Sequence, residues 1–189
     1  MTNLSRFAVA ADGGAGDLPP VHLWSPSHCD DIGMEIRRDG SWWHDGARIS
    51  RERMVKAFSR ILRKDPDGLH YLVTPVEKVV VHVEIAPFLA VRVDRIGEGA
   101  EARLRFSTNL GDEVDAGPER PIRVETDAET GEPRPFVRVR ANLDALVTRS
   151  TFLELVEFAE PSREDSDRLV VASLGETFDL GSLTGAARG

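Results

Sequence analysis

The residues with the widest chemical range lie near the start of the chain. They are two imidazoles, a thiol and two carboxylates, at His22, His28, Cys29, Asp30 and Asp31. All three group types bind zinc, and a Cys–His pair can also act as nucleophile and base. However, His22 and His28 are six residues apart and the cysteine is single, whereas metal sites usually show close pairs. We therefore expect a turn in which Asp side chains cap backbone amides, with a site of His22, His28, Cys29 and Asp31 as the alternative.

A second polar segment, residues 74–78, joins two strongly apolar stretches. Thr74 offers a hydroxyl, Glu77 a carboxylate and Lys78 an ammonium, on a link stiffened by Pro75. Such a group can hold an anionic ligand such as a phosphate. The competing interpretation is a salt-bridged connection between strands. We take Thr74, Glu77 and Lys78 as candidate ligand-binding residues.

Tryptophan supplies the remaining candidates. The chain has three, and Trp42 and Trp43 are adjacent. Successive strand residues face opposite sides, so one ring should pack on a helix while the other faces outward. An outward ring can stack on a base or sugar, or simply cover a neighbouring strand. Trp24 and Trp43 therefore join the candidate ligand-binding set.

Arginines alternate along predicted strands of the second half. They would line one sheet face as a basic stripe, or pair with cross-strand acids such as Glu101 and Glu125. They are Arg103, Arg105, Arg123, Arg138 and Arg140.

Composition narrows the class of protein. With 24 basic and 32 acidic residues, the net charge of −8 argues against a general nucleic-acid binder. One cysteine, no signal-peptide pattern and no apolar run of about 20 residues predict a soluble cytoplasmic protein. The segment Gly13–Gly16 follows no strand, so it fails the dinucleotide-binding fingerprint, and no serine nucleophile elbow is present.

A repeat organises the elements that must position these residues. Residues 49–58 return at 147–156, with Ser50 and Thr148 differing by 98 positions. Each block predicts a helix with a hydroxyl cap, a hydrophobic staple and an apolar face. A hairpin precedes each helix and a strand follows it. The copies comprise Met34–His44, Ser50–Lys64 and Leu69–Thr74, then Ile122–Arg140, Thr148–Ala159 and Leu169–Leu174.

The pattern predicts an α+β fold with two small antiparallel-sheet halves, each with one packed helix, related by duplication. We expect a disordered arm over residues 1–17 and a frayed tail over 181–189. Between them we expect an N-terminal domain over 18–85 and a C-terminal domain over 86–180, with a cleft between the halves.

Several segments in fixed order resemble a proteobacterial family, the domain-of-unknown-function family twelve-eighty-five. They include residues 20–24, 29–32, 39–42, 65–68, 74–78, 86–88, 117–119 and 130–135. The resemblance implies a duplicated α+β core with a pleckstrin-homology-like C-terminal half. It also implies a nucleotide-related ligand at the domain interface and a role in signal transduction or stress response.

The leading hypothesis is a small-ligand-binding or signalling module for an anionic, nucleotide-like ligand, with no cofactor, membrane or nucleic-acid polymer as partner. The alternatives are a Cys/His-dependent or metal-dependent enzyme, and a protein-interaction domain without a ligand.

Overall fold

The protein consists of two compact units, Met1–Pro87 and Phe88–Gly189. The structure, a computed structural model, describes residues 4–11 and 18–182. Strands dominate the described residues of both units, and α-helices are short. The prediction of a duplicated α+β fold is confirmed by two six-stranded sheets, each accompanied by a helix.

The first unit is built from two meanders, each a run of three consecutive antiparallel strands. Its sheet has the order β3-β2-β1-β6-β5-β4, and the central strands β1 and β6 run parallel. The first meander therefore leads outward from the centre, and the second leads back to it. The helices are α1 (Ser5–Ala10) and α2 (Glu52–Arg60), and the strands are β1 (His28–Ile36), β2 (Trp42–His44), β3 (Ala47–Arg48), β4 (Leu62–Lys64), β5 (His70–Val73) and β6 (Glu77–Val83).

Helix α2 covers one face of this sheet. It buries Val55 and Phe58, and the Phe58 ring lies 6.2 Å from the buried ring of Trp42. Strand residues that alternate inward, such as Met34 and Leu72, are fully buried. An apolar helix stripe against one face of a pleated sheet is the expected way to form such a core.

The predicted limits of α2 were wrong at both ends. The helix begins at Glu52 behind the extended residue Arg51, and no side chain caps it, so Ser50 is not the cap. It ends at Arg60, because residues Leu62–Lys64 form β4, in which Leu62 pairs with Leu72. Cross-strand pairing has overridden a helical pattern that these residues also fit.

Part of the segment 1–17, which the sequence predicts to be a disordered arm, forms a helix. Within the described residues 4–11, helix α1 buries Phe7 completely. The guanidinium Nε of Arg60 donates to the carbonyl of Ala11, and Arg6 pairs with Glu77. Phe7 and Ala11 are four residues apart, so they share one helix face, a signal that the sequence does contain. Residues 1–3, 12–17 and most of the predicted tail, 183–189, lie outside the described residues.

The second unit contains three meanders. Its six-stranded sheet has the order β10-β11-β12-β7-β8-β9, with β7 and β12 parallel at the centre, and β13-β14-β15 form a separate sheet. Its elements are β7 (Phe88–Ile96), β8 (Arg103–Thr108), β9 (Glu113–Asp115), β10 (Ile122–Thr126), β11 (Pro133–Arg140), β12 (Leu143–Val147), α3 (Arg149–Glu157), β13 (Glu160–Pro161), β14 (Arg168–Ser173) and β15 (Glu176–Ser182).

Both units contain a meander, a helix and a second meander in this chain order. The elements are β1–β3, α2 and β4–β6 in the first unit, and β10–β12, α3 and β13–β15 in the second. The helix α2 follows the edge strand β3, whereas α3 follows the central strand β12. His70 and Arg168, which open β5 and β14, are again 98 positions apart. The predicted cap of α3 is confirmed, because the Thr148 side chain accepts a hydrogen bond from the amide of Thr151.

Candidate functional site

The segment between β5 and β6 is a tight turn held by Thr74. Its Oγ1 donates to the carbonyl of Glu77 at 3.0 Å and accepts from the amide of Glu77 at 3.1 Å. Thr74 is only 4% exposed. A threonine hydroxyl that closes a turn in this way satisfies backbone groups rather than facing a ligand.

The charged residues of the same segment are already paired. Glu77 accepts from Arg6 of α1 at 2.8 Å. Lys78 Nζ lies 2.9 Å from Asp65 Oδ2 and 3.9 Å from the centre of the Tyr71 ring. Lys78 therefore makes an ion pair and a cation–π contact at once.

Asp65 lies at the centre of this network, because Arg63 pairs with it as well. Burial raises the pKa of Asp65, but hydrogen bonds from Arg63 and Lys78 outweigh burial and hold the pKa below its usual value. Arg63 also donates from Nη1 to the carbonyl oxygens of Val21 and Trp24, at 2.6 and 2.7 Å. The network thus fixes the segment before β1 to the edge of the sheet.

Tyr71 belongs to the same network through its hydroxyl, which donates to Asp67 at 2.7 Å. That hydrogen bond to Asp67, with burial as a smaller cause, raises the pKa of Tyr71 to about 12. The phenol is thus held in its protonated, donating form.

The adjacent tryptophans face opposite sides of the sheet, as predicted. Trp42 packs on α2, whereas Trp43 is half-buried on the other face. The Arg37 guanidinium lies 3.7 Å from the centre of the Trp43 ring. The indole Nε1 of Trp43 donates to Ser41 Oγ at 2.8 Å, which fixes the ring. Trp24 is half-buried, and its carbonyl is the group that Arg63 binds.

The His, Cys and Asp residues of the first segment do not form a metal site. Within residues 4–11 and 18–182, no three side chains of His, Cys, Asp or Glu are placed to share a metal ion. His22 lies in a short 3-10 turn, and Cys29 is exposed on β1. His28 pairs with its neighbour Asp30 at 2.9 Å.

The expected turn at these residues is instead the start of β1, with an irregularity between Asp30 and Met34. Asp31 does cap an amide, because its carboxylate accepts from the amide of Gly33 and also bonds His82. These two hydrogen bonds, that of Gly33 first, lower the pKa of Asp31. Gly33 has a positive φ of 68°, which glycine adopts without strain.

The arginines of the second unit are paired with aspartates. Asp144 lies between Arg123 and Arg138, and Asp115 lies between Arg103 and Arg105. Arg140 pairs with Asp112 at 2.6 Å. The predicted alternative of a charge-paired sheet face therefore describes them better than a basic stripe, although the main partners are Asp residues. Glu125 is one of the two partners named from the sequence, and it does pair with Arg123.

A groove of about 550 Å³ lies in the first unit. It crosses the carboxyl ends of β1 and β6, the two parallel strands, and the amino end of β5. We call it the strand-end groove. Its apolar lining residues are Ile36, Leu69, Val80, Val81, Val83 and Ile85. The volume falls within the range of about 300–1,000 Å³ that is typical of small-molecule sites.

Polar side chains border the strand-end groove. Arg37 and Glu35 follow one another along the end of β1, and His82 pairs with Glu35 across the parallel ladder. Lys64 and His70 are paired on β4 and β5. In open α/β sheets, ligands bind outside the carboxyl ends of parallel strands. The strand-end groove also lies at the carboxyl ends of a parallel pair, β1 and β6.

Sequence reasoning missed the strand-end groove. Of the five candidate ligand-binding residues, Trp43 alone is linked to it in the described part of the chain, through its contact with Arg37. The missed residues include Arg37, His70 and His82. The sequence contains one signal of the groove, because Glu35, Arg37 and Trp43 alternate away from the core. However, the groove also requires the parallel pairing of β1 with β6, which joins residues about fifty positions apart.

These features define a two-unit α+β protein with a duplicated fold, in which each unit has the order meander, helix, meander. Sequence models of one family cover nearly all of it: "Domain of unknown function (DUF1285), N-terminal domain" matches residues 19–86, and "Protein of unknown function (DUF1285), C-terminal domain" matches residues 87–180. The chain belongs to the DUF1285 family.

One solved structure supports the assignment, and a second supports the fold. A DUF1285 family protein from Silicibacter pomeroyi DSS-3 is 40% identical over 100% of both chains, with a TM-score of 0.88. One from Shewanella baltica OS155 is 24% identical over 67% of this chain and 91% of its own, with a TM-score of 0.52, and shows the fold alone. No match was found among curated proteins. None of the described helices is long and apolar enough to cross a membrane.

Proposed function

We propose that this protein is a small-ligand-binding module and that its anionic ligand binds in the strand-end groove. The observation that supports this proposal is the groove itself, which combines an apolar lining with Arg37, Lys64 and two histidines at the ends of parallel strands. Ligand sites are typically apolar clefts with a few polar groups that fix orientation.

The proposal places the site apart from Thr74, Glu77 and Lys78. Those side chains are engaged in a turn and in ion pairs that hold α1 and the edge of the sheet in place. A ligand there would have to displace Asp65 from Lys78, at a cost that binding would need to repay. A module that binds a small anion and reports its presence would serve signal transduction or a stress response.

A thermal-shift screen tests the proposal. The panel contains nucleotides, second messengers and small carboxylates, and a compound at 100 times its dissociation constant should stabilise the protein by about 2.7 kcal/mol. Leu69→Trp fills the groove with a larger side chain at a position that is 50% exposed. We expect this variant to lose the shift.

The matched control is Leu174→Trp, which changes an exposed leucine of the second unit. It should keep the full shift. A shift that survives Leu69→Trp and is lost in Lys78→Ala would move the site to the β5–β6 turn. No shift with any compound of the panel would contradict ligand binding.

A further inference from the structure

We infer that the ligand of the strand-end groove is an amphiphilic monoanion: its acidic group binds Arg37 and its apolar body covers the groove lining. This inference rests on the proposed function and narrows the class of ligand. It distinguishes a molecule such as a medium-chain carboxylate from a nucleotide polyphosphate.

Arg37 is held in place before any ligand arrives. Its guanidinium stacks on the Trp43 ring, and that ring is fixed by its hydrogen bond to Ser41. Ser41 is fixed in turn, because both its Oγ and its amide donate to Asp39, the amide at 2.9 Å. A guanidinium has five N–H groups arranged as a planar fork. Stacking on an aromatic face leaves the edge of that fork, where carboxylates bind, directed outward.

The hydrogen bonds that the Arg37 side chain makes to Glu35 are long. Nε and Nη2 both donate to one oxygen of Glu35, Oε2, at 3.3 Å. Strong charge-assisted hydrogen bonds are about 2.7–2.9 Å long, so this pair is loose. The Arg37 side chain is 44% exposed, and exposed pairs contribute little to stability. An incoming carboxylate can therefore replace Glu35 at low cost.

The charge of the groove limits the charge of its ligand. Among the lining residues, the cations Arg37 and Lys64 are matched in number by the carboxylates Glu35 and Glu84. A polyphosphate needs a surplus of cations or a nest of backbone amides, as at phosphate loops. A single negative charge needs only Arg37, once Glu35 has turned away.

The lining supplies the remaining free energy of binding. Its six aliphatic residues include Leu69, which is half exposed, and Val80 and Val83, which are half-buried. Covering apolar area stabilises a complex by about 25 cal/mol per Å². An unbranched hydrocarbon body, lying along the ends of the strands, would use this surface.

Isothermal titration calorimetry with decanoate, decanol and ATP tests the inference on the full chain, below the micellar concentration of decanoate. We expect decanoate to bind more tightly than ATP. Arg37→Ala should weaken decanoate on the order of tenfold, because hydrogen bonds to a charged group are lost. Glu35→Gln should tighten it up to about fivefold, because a competing carboxylate is removed.

Tighter binding by Glu35→Gln is the discriminating result, since a purely structural role for the Glu35–Arg37 pair predicts no gain. Arg92→Ala, which breaks an exposed Arg–Asp pair of the second unit, is the control and should bind like the parent. Decanol binding as tightly as decanoate, with neither groove variant changing either, would overturn the monoanion and leave the groove site standing. ATP binding that is tight and lost in Leu69→Trp would do the same. Absence of binding by all three probes would overturn the monoanion, whereas the proposed function is overturned only if the whole thermal-shift panel gives no shift.

Discussion

The parallel strand pair ends differently in the two units. In the first, the carboxyl ends of β1 and β6 border the strand-end groove. In the second, β12 runs directly into α3, the amide of Thr148 donates to the carbonyl of Ala90 on β7, and α3 packs on β7. The corresponding end is thus covered by a helix. The position of the helix in the chain, rather than the arrangement of the strands, therefore determines whether a helix covers this end of the parallel pair.

The two copies of the duplicated segment also join their meanders differently. In the first copy, β1 and β6 are joined by a parallel backbone ladder that is interrupted between Asp30 and Met34. In the second, β15 lies beside β10, but β13–β15 form a sheet of their own. A buried side chain helps to hold that sheet: Ser173 Oγ accepts from the amide of Leu104 and donates to the carbonyl of Ala116. Hydrogen bonds to β8 and to the residue after β9 thus help to hold β13–β15, whereas β4–β6 are held through the pairing of β6 with β1.

The largest expected effect tests the role of α2 as the core helix of the first unit. Phe58→Ala removes a fully buried ring, and we expect a loss of about 3–5 kcal/mol in the free energy of unfolding. All three tryptophans belong to the first unit, so urea unfolding followed by tryptophan fluorescence reports this unit. Lys56→Ala, on the exposed side of α2, is the control. A loss below about 1 kcal/mol for Phe58→Ala would show that α2 is not the core helix.

The next prediction concerns the contacts that hold the meanders β4–β6 and β13–β15 in their units. Ser173→Ala leaves an amide and a carbonyl without their buried partner, so we expect a loss of about 1–3 kcal/mol. Hydrogen exchange should accelerate in β13–β15 and remain unchanged in β4–β6, which are held by a backbone ladder. Thr177→Val on β15 removes an exposed hydroxyl and is the control for the same sheet. Equal acceleration in both meanders would refute the distinction.

A third prediction compares two carboxylates in the second meanders of the two copies. Asp65 is 11% exposed between Arg63 and Lys78, whereas Asp179 is 46% exposed beside Arg168. Asp65→Asn should cost about 1–3 kcal/mol at pH 7, because hydrogen bonds to charged groups are lost. Asp179→Asn should cost about 0–1 kcal/mol, because solvent screens that pair.

The pH dependence of this pair of variants has a defined sign. The pKa of each carboxyl is lowered: burial opposes ionisation in both, and hydrogen bonds outweigh it. The stabilisation is therefore present above the unfolded pKa of about 3.9 and is lost as pH falls through the folded value. Urea unfolding at pH 7 and pH 3 should show the Asp65→Asn deficit shrinking in acid. A deficit that is unchanged at pH 3 would exclude the ionised network as its source.

The sequence predicted those parts of the fold that depend on local signals. Thr148 directly precedes a helix, and its partner, the amide of Thr151, lies only three residues further along the chain. The cap was therefore predictable from the local sequence. Ser50 has the same local context, yet the chain stays extended through Arg51, so the cap prediction failed. Leu62 shows the limit most clearly: it continues the apolar face of α2, and its strand pairing with Leu72 depends on residues beyond a turn.

The candidate site was harder to predict than the fold, for a related reason. Thr74, Glu77 and Lys78 look reactive in a linear sequence, but their partners Arg6, Asp65 and Tyr71 become visible only when the chain is folded. The strand-end groove depends on the parallel pairing of β1 and β6, which has no local sequence signal. Trp43 was found because alternation along a strand is local.

The smallest expected effect sharpens the contrast between the networks of the two copies. Tyr71 is the only tyrosine of the chain, and its hydrogen bond to Asp67 raises its pKa to about 12. Leu169 occupies the position of Tyr71 after the shift of 98, so the second copy lacks this group.

Absorbance at 295 nm, recorded immediately after a jump to high pH, should show ionisation of Tyr71 near pH 12 in the parent protein. Asp67→Asn should move it toward the usual value of about 10, because a neutral amide stabilises the phenol less than a carboxylate does. Asp45→Asn, an exposed turn residue, should leave it unchanged. Ionisation near 10 in the parent protein before unfolding would show that the Asp67 bond does not form, and would remove one of the contacts that distinguish the first copy from the second.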